Sequence, residues 1–562
     1  MERTRRARAG DQRTDDDPLV EALDELGGGS AFLWMVFFFT VFPTVFAGMH
    51  SNTYIFIAEI PSHWCAVPEL SAANWTAEQI REVSSADSCS KYDYDYSHLA
   101  EIGFEESLKY VAEHHESVGV VGCMQYNYAD DVERKSMVEE WDLVCRDAPK
   151  RATTHMALSL GKLLGSAVLG VSSDRYGRKA VYALGIVMFA IAGPASAYVP
   201  WYWAFVVLRL LTGVSFSATQ FSSLTTLTEV AGNTHRQWTA IVFNCGFASG
   251  SILVAGISYL ASQWRQVQVA TSLPALVLLL FAWFMPESPR WLLSQGKRDK
   301  ARAILEKYRG PIRHDPRDLS HGLRRSDGEA HAIGDRRAQG SLLSDQVKGL
   351  KIIFGNAELQ RRAYISYFTW MSASLTYYAL ALNVDNISVN YYLYAVLLGV
   401  TEIPAYLLPS PILMLMGRRL ASSALFAICG ALLLTVLALA HQWTGAIVTA
   451  SLVARFALSA AYGIFILYTS ELFPTMSRNS ALGTSSSMAN VGSIIAPFSV
   501  DFLGILAWWA PSTLCGTLAL LAAFTCLALP ETRGRPLADT VEEEVADGRG
   551  IVSFAHTFKC VR

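Results

Sequence analysis

Gly170-Val171-Ser172-Ser173-Asp174-Arg175-Tyr176-Gly177-Arg178-Lys179 is a short charged hinge between two apolar runs, 155–171 and 180–199. Each run comes close to the about 20 residues that a bilayer crossing needs. Charges gather where the chain re-enters water, and their mostly positive sign is that of a cytoplasmic connection. Gly170 and Gly177 let the backbone reverse and let neighbouring helices approach closely. The hinge therefore reads as a tight turn between two membrane spans.

Working outward, similar runs recur along the whole chain. With 562 residues, 52% of them hydrophobic and 17% charged, and a mean hydropathy of +0.26, the composition excludes a string of ordinary soluble domains. Spans are expected at 31–48, 155–171, 180–199, 201–224, 238–260, 267–285, 363–382, 391–414, 420–441, 444–468, 481–502 and 509–529. The expected fold class is an all-α integral membrane protein with twelve transmembrane helices. Its parts are an N-terminal tail 1–30, a half 31–285 that includes a large loop 50–151, a connection 286–361, a second half 362–529 and a C-terminal tail 530–562. An even number of spans places both tails on one side, and Arg3, Arg5, Arg6 and Arg8 favour the cytosol. The polar N-terminus lacks the apolar core of a cleaved signal peptide. Basic residues are spread over loops, so no nucleic-acid face is expected.

Loop 50–151 has no spanning run and carries nineteen Asp/Glu against eight Lys/Arg, the balance of an extracellular segment. Connection 286–361 has sixteen Lys/Arg against ten Asp/Glu, the cytoplasmic balance. Its start, 294–308, has helical spacing, and its Gly-punctuated middle, 310–340, reads as a mobile linker. Four cysteines in the outer loop, Cys65, Cys89, Cys123 and Cys145, imply two disulfides whose pairing the sequence leaves open. Asn74-Trp75-Thr76 in that loop and Asn386-Ile387-Ser388 between later spans are N-glycosylation acceptors on the same expected face.

Laying the halves against each other exposes a repeat. Glu229 and Arg236 recur as Glu471 and Arg478, Arg209 recurs as Arg455, and Gly177-Arg178-Lys179 recurs as Gly417-Arg418-Arg419, whereas Met414 and Leu415 stand where Asp174 and Arg175 stand. Two parallel six-span halves follow. Asp174, Arg175, Arg178, Glu229, Arg236, Glu287, Arg290, Arg418, Glu471, Arg478 and Glu531 all fall at expected cytoplasmic helix ends. Cross-paired, they would form an ionic latch, each pair weak at about 0–1 kcal/mol but able as a network to bias a conformational change.

Ionisable residues inside spans are functional candidates by default. The duplication of Arg209 and Arg455 points to a structural task such as bonding helix carbonyls. Lys162 lies twelve residues before Asp174, or ~18 Å of helix, near the middle of the core, and is expected to have no counterpart in the second half. With Glu402 from span eight it supplies one charge of each sign. The pair would suit a zwitterion, with Lys162 facing its carboxylate, or would hold the fold by pairing together. Trp370 and Tyr377, with Tyr378 about 100° away on the same helix, offer aromatic faces that attract organic cations by roughly 0.5–2 kcal/mol.

The hinge resembles the signature loop between helices 2 and 3 of the major facilitator superfamily, which implies two six-helix halves working by alternating access. Within it, Pro61-Ser62-His63-Trp64-Cys65-Ala66-Val67-Pro68-Glu69 and Glu140-Trp141-Asp142-Leu143-Val144-Cys145 resemble the two ends of the outer loop of the organic ion transporters, a family of organic cation, organic anion and carnitine carriers. Pro286-Glu287-Ser288-Pro289-Arg290-Trp291-Leu292-Leu293, Glu471-Leu472-Phe473-Pro474-Thr475 and Pro530-Glu531-Thr532-Arg533-Gly534 resemble its helix-end motifs, some of which sugar porters share. The resemblance implies a plasma-membrane secondary carrier of small organic ions, its partners the solute and the lipid bilayer, with the coupling ion unspecified. It also draws attention to Asn490, at a helix-11 position usually acidic in cation carriers and Arg in anion and carnitine carriers. A neutral amide there favours neither sign of solute charge. A sugar-porter-like carrier and a transporter-shaped receptor that moves no solute are the alternatives. A membrane enzyme would need a nucleophile or metal-ligand cluster, and none is legible, so no catalytic residue, metal or cofactor is expected. Gly27-Gly28-Gly29 is a linker and lacks the Lys of a phosphate loop.

Overall fold

The computed structural model describes residues 18–114, 118–129, 135–232, 235–309, 342–384, 390–439 and 442–533. Asn386, the expected linker 310–340 and most of both tails lie outside the described residues. Twelve helical passages cross the molecule: α1 (Ala31–Ile57), α2 (Ala148–Tyr176), α3 (Arg178–Tyr198), α4 (Tyr202–Val230), α5 (Arg236–Leu260), α6 (Trp264–Ser272, carried through Leu273–Val277 to Leu278–Phe284), α7 (Ala357–Leu382), α8 (Tyr391–Leu407, resuming at Pro409–Leu415), α9 (Arg418–Ala438), α10 (Thr444–Leu472), α11 (Thr475–Leu506) and α12 (Ala510–Leu527).

Eleven of these are long and apolar enough to cross a membrane; α7 is the exception. Its polar residues Ser366, Thr369, Ser372, Ser374 and Thr376 are buried, so they lower its hydropathy while facing other helices rather than lipid. The same reason explains where α1 ends. Its apolar run stops near Gly48, but the helix continues to Ile57 because His50, Ser51, Asn52 and Thr53 are buried in the bundle. Asn52 donates to Ser251 Oγ at 2.8 Å, fixing α1 against α5. With α2 starting at Ala148, the segment between α1 and α2 is 58–147, shorter than the sequence suggests.

Helices α1–α6 and α7–α12 form the two halves, which meet chiefly through α2 on α11 and α5 on α8. Small residues permit the closest approaches. A Cβ on Gly161 would lie 2.1 Å from Leu210 O and one on Gly213 2.1 Å from Leu158 O, so α2 and α4 touch backbone to backbone.

Segment 58–147 is a small disulfide-stapled unit. Strand His63–Cys65 pairs antiparallel with Tyr126–Tyr128, and Ser90–Tyr92 with Val120–Gly122. Short helices enclose a core of Val67, Leu70, Ile80, Val83 and Leu99. The bridges are Cys65–Cys123 and Cys89–Cys145. The unit seats on the bundle through Glu140, which accepts from Trp264 Nε1 at 2.7 Å and Arg265 Nε at 3.1 Å, and through Trp141, which donates to Pro200 O at 2.9 Å. At the opposite end, helix Arg298–Arg309 packs on helix Pro18–Leu26 through Arg309 and Glu25.

Candidate functional site

The repeat builds matching charged clusters at the end of the bundle away from 58–147. In the first half, the Glu287 carboxylate caps α3, accepting from the backbone N–H of Arg178 at 3.0 Å and of Lys179 at 3.2 Å. Gly177 makes room for it: at φ 106° a Cβ would sit 2.3 Å from Glu287 Oε2. Arg178 in turn pairs with Glu229 at 2.9 Å and Asp174 at 2.9 Å. In the second half Glu531 accepts from the N–H of Arg418 at 2.9 Å and of Arg419 at 3.2 Å, Gly417 again leaving the space. Arg418 pairs with Glu471 at 3.1 Å. Where Asp174 has no counterpart, Arg533 reaches back to the carbonyls of Leu415 and Met414 at 3.0 and 2.7 Å.

Seven of the expected latch residues are thus brought together, but in two clusters that each clamp one half rather than bridging both. Arg175 lies over the Tyr176 ring, Arg290 is on the surface, and Arg236 opens α5. Arg478 has Nε and Nη2 buried without a hydrogen-bond partner among the described residues.

Midway along the bundle, side chains of both halves meet. Lys162 on α2, 5% exposed, donates to Ser51 Oγ on α1 at 2.9 Å and to the Tyr378 hydroxyl on α7 at 3.3 Å. Its ammonium lies 4.5 Å from the Phe216 ring centroid. Tyr378 packs edge-on against His155 and against Tyr377. The Tyr377 hydroxyl donates to Glu402 Oε1 at 2.6 Å, and Arg455 Nε donates to the same oxygen at 3.1 Å. Glu402 and Arg455 are both almost fully buried. The structure therefore gives Glu402 the partner Arg455, and Lys162 and Glu402 connect only through the two tyrosines.

Two further candidates lie apart from this group. Trp370 donates to Thr469 Oγ1 at 3.1 Å and packs on Tyr462. Half-buried Asn490 donates back to Ser486 O at 3.3 Å on its own helix.

The duplicated arginines do bond helix carbonyls, Arg209 to His50 O on α1 at 3.3 Å and Arg455 to Tyr377 O on α7. What the sequence pattern did not disclose at first sight is the partner of Lys162 in the repeat. The register of 240 that aligns Gly177 with Gly417 also aligns Lys162 with Glu402, so the expectation that Lys162 has no counterpart is corrected: the position is duplicated with its charge reversed.

A second unforeseen pair lies near 58–147. Arg151 at the start of α2 and Asp501 near the end of α11 form an ion pair between the halves, and Arg151 Nη1 also donates to Ala58 O at 3.0 Å. At the same end Tyr392 of α8 stacks on Phe56 of α1 and meets Tyr259 of α5 edge-on. The halves are closed against each other on this face.

Residues 117–543 match the family model described as sugar (and other) transporter. The chain is 29% identical over 532 residues to the organic cation transporter protein of Drosophila melanogaster, covering 93% of this chain and 94% of that protein. It is 30% identical over 549 residues to solute carrier family 22 member 16 of Homo sapiens, covering 92% of each. Organic anion transporter 3 of Oryctolagus cuniculus is 27% identical, with 93% of each covered. Among solved structures, the inward open xylose transporter XylE from E. coli superposes with a TM-score of 0.57 at 16% identity over 90% of this chain and 98% of that one, a likeness of fold. The organic ion transporter motifs, the two six-helix halves and these full-length relatives lead to one conclusion: the chain belongs to the sugar (and other) transporter family and, within it, to the organic ion transporters of the major facilitator superfamily.

Proposed function

We propose that the protein is a plasma-membrane secondary carrier that moves small organic ions by alternating access. The observation that carries the reading is the polar group at mid-bundle, where Lys162 of one half meets Tyr378, Tyr377 and Glu402 of the other. Buried polar and ionisable groups are costly there and mark solute pathways. A site shared by two rigid halves changes access when the halves rock. Relatives named as organic cation and organic anion transporters support the substrate class.

In this reading Lys162, Tyr377, Tyr378 and Glu402 line the solute site, with Trp370 and Asn490 further along the pathway. The clusters of Asp174, Arg178, Glu229 and Glu287 and of Arg418, Glu471 and Glu531, with Arg175, Arg236, Arg290 and Arg478 around them, hold each half rigid and bias the rocking step. Segment 58–147 faces the outside, carrying a glycan on Asn74, which is exposed in a turn; both tails and 286–361 are cytoplasmic. Radiolabelled uptake in cells expressing the protein, screened over cationic, anionic and zwitterionic solutes with and without sodium, tests the reading. Surface expression without uptake or exchange of any class would favour a receptor instead.

A further inference from the structure

We propose that the central site is built for the carboxylate of an organic anion, with Lys162 as the residue that binds it and Arg209 as a second uncompensated cation behind it. This rests on the carrier reading above and names its substrate class.

The argument starts from the buried charge. Glu402 is the one fully buried carboxylate among the described residues, and Arg455 with the Tyr377 hydroxyl already occupies its Oε1. Among the described residues Lys162 has only neutral oxygens as hydrogen-bond partners, Ser51 Oγ and the Tyr378 hydroxyl. Arg209, 1% exposed, donates from Nη1 to His50 O, while its Nε and Nη2 are buried with no hydrogen-bond partner among the described residues. His155, edge-on to both Tyr54 and Tyr378, has Nδ1 likewise buried without a partner. The centre of the first half is thus rich in donors and short of an acceptor carrying negative charge.

Two buried cations without an anion are an unstable arrangement unless something supplies one part of the time. A solute carboxylate does so: its two oxygens accept from Lys162 Nζ and from the hydroxyl partners that now bond the lysine. Beside Ser51 and Phe216, both in contact with Lys162, lies a mostly apolar cavity of about 20 Å³ lined by Leu158, Ile186 and Phe189, room for one water, so the body of a solute enters only when the halves move apart. A zwitterion would leave the excess positive charge in place, and a pure cation would add to it. The balance changes the expectation drawn from Lys162 and Glu402 as a free pair, because the acid of that pair is spoken for.

Uptake of radiolabelled benzoate, glycine betaine and tetraethylammonium by cells expressing the full chain tests this, beside thermal unfolding of the purified protein with each probe. The expected result is saturable benzoate uptake, with half-saturation at least tenfold below that of either other probe. Lys162→Gln should raise the benzoate value about tenfold or more, and Lys162→Arg should restore most of it, with the unfolding midpoint of the empty protein held in both. Tetraethylammonium or betaine carried as well as benzoate overturns the carboxylate site while leaving a carrier. Equal weakening of all probes by Lys162→Gln overturns the role of Lys162. If no probe of any charge is carried or shifts the unfolding midpoint, the carrier reading falls and takes this inference with it.

Discussion

At equivalent places in the repeat the first half carries Lys162 and the second Glu402, and each half also buries an arginine on the fourth of its six helices, Arg209 or Arg455. In the second half acid and base neutralise each other, with Arg455 and Tyr377 converging on one oxygen of Glu402. In the first half both charges are positive and neither pairs with a carboxylate among the described residues. At the end of the bundle away from 58–147 the halves agree closely, Gly177, Arg178, Glu229 and Glu287 matching Gly417, Arg418, Glu471 and Glu531 contact for contact. The duplicated scaffold has kept its helix-end clamps and diverged where a solute would sit. One half is electrostatically closed on itself, and the other remains open to a partner.

The largest expected effect tests that contrast directly. Glu402→Gln leaves the Arg455 guanidinium buried and unpaired, a loss of about 3–5 kcal/mol. It should show as a sharply lowered unfolding midpoint and reduced surface expression. The double variant Glu402→Gln/Arg455→Gln should regain much of that loss. Lys162→Met should behave oppositely, neutral or stabilising, because it removes a buried charge that no acid balances. A drop for Lys162→Met as large as for Glu402→Gln would mean that the first half is neutralised after all.

Next in size is the pair that joins the halves. Arg151→Met removes charge-assisted hydrogen bonds to Asp501 and Ala58 O, worth about 1.5–3 kcal/mol. The bond to Asp501 joins the halves and exists only while the face bearing 58–147 is closed, whereas that to Ala58 O lies within the first half, so the variant should shift the resting population toward opening there. A cysteine placed at Phe498, about a turn before Asp501 on α11, should then react faster with an impermeant thiol reagent. Unchanged labelling would show that the aromatic contacts of Tyr392 alone hold this face shut.

A smaller difference separates the two hinge glycines. Ala at either position meets a glutamate carboxylate, Glu287 or Glu531, but Gly177 is also held at φ 106° whereas Gly417 sits at an ordinary φ of −70°. Gly177→Ala should therefore destabilise by roughly 1–3 kcal/mol more than Gly417→Ala. Equal midpoints for the two would mean that the hinge backbone relaxes freely.

These contrasts also mark what was legible in the sequence. Span positions were readable because hydropathy is local, and the helix-end clusters because each motif keeps its spacing in both halves. The end of α1 was not, since His50 to Thr53 look like an exit from the membrane until other helices cover them. The acid partner of Arg455 lies on a different helix, and that of Arg151 is in the other half of the chain. Such pairings are set by helix packing, which no local pattern encodes. The reversed charge at 162 and 402 was available from the repeat register alone. It was masked because the two residues share neither size nor sign.

The smallest effect concerns the one place where the clamps differ. Asp174 is 48% exposed and pairs with Arg178 across the Gly177 hinge. Exposed ion pairs contribute only about 0.2–1 kcal/mol. In the second half Met414 replaces the acid, and Arg533 bonds the carbonyls there instead. Asp174→Asn should accordingly leave the protein folded and at the surface, with an unfolding midpoint lowered by about 1 °C or less. The Trp291 Nε1 bond to the Asp174 carbonyl, at 2.9 Å, survives the change because it uses the backbone. If the first-half cluster biases the rocking step, solute turnover should nevertheless slow, as Arg178 loses one of its two acids and holds α4 less firmly. Met414→Asp makes the reciprocal test, giving Arg418 the second acid that Arg178 has and making the second clamp resemble the first. Turnover unchanged in both variants would reduce the clamps to fixed scaffolding and leave the difference between the halves confined to their centres.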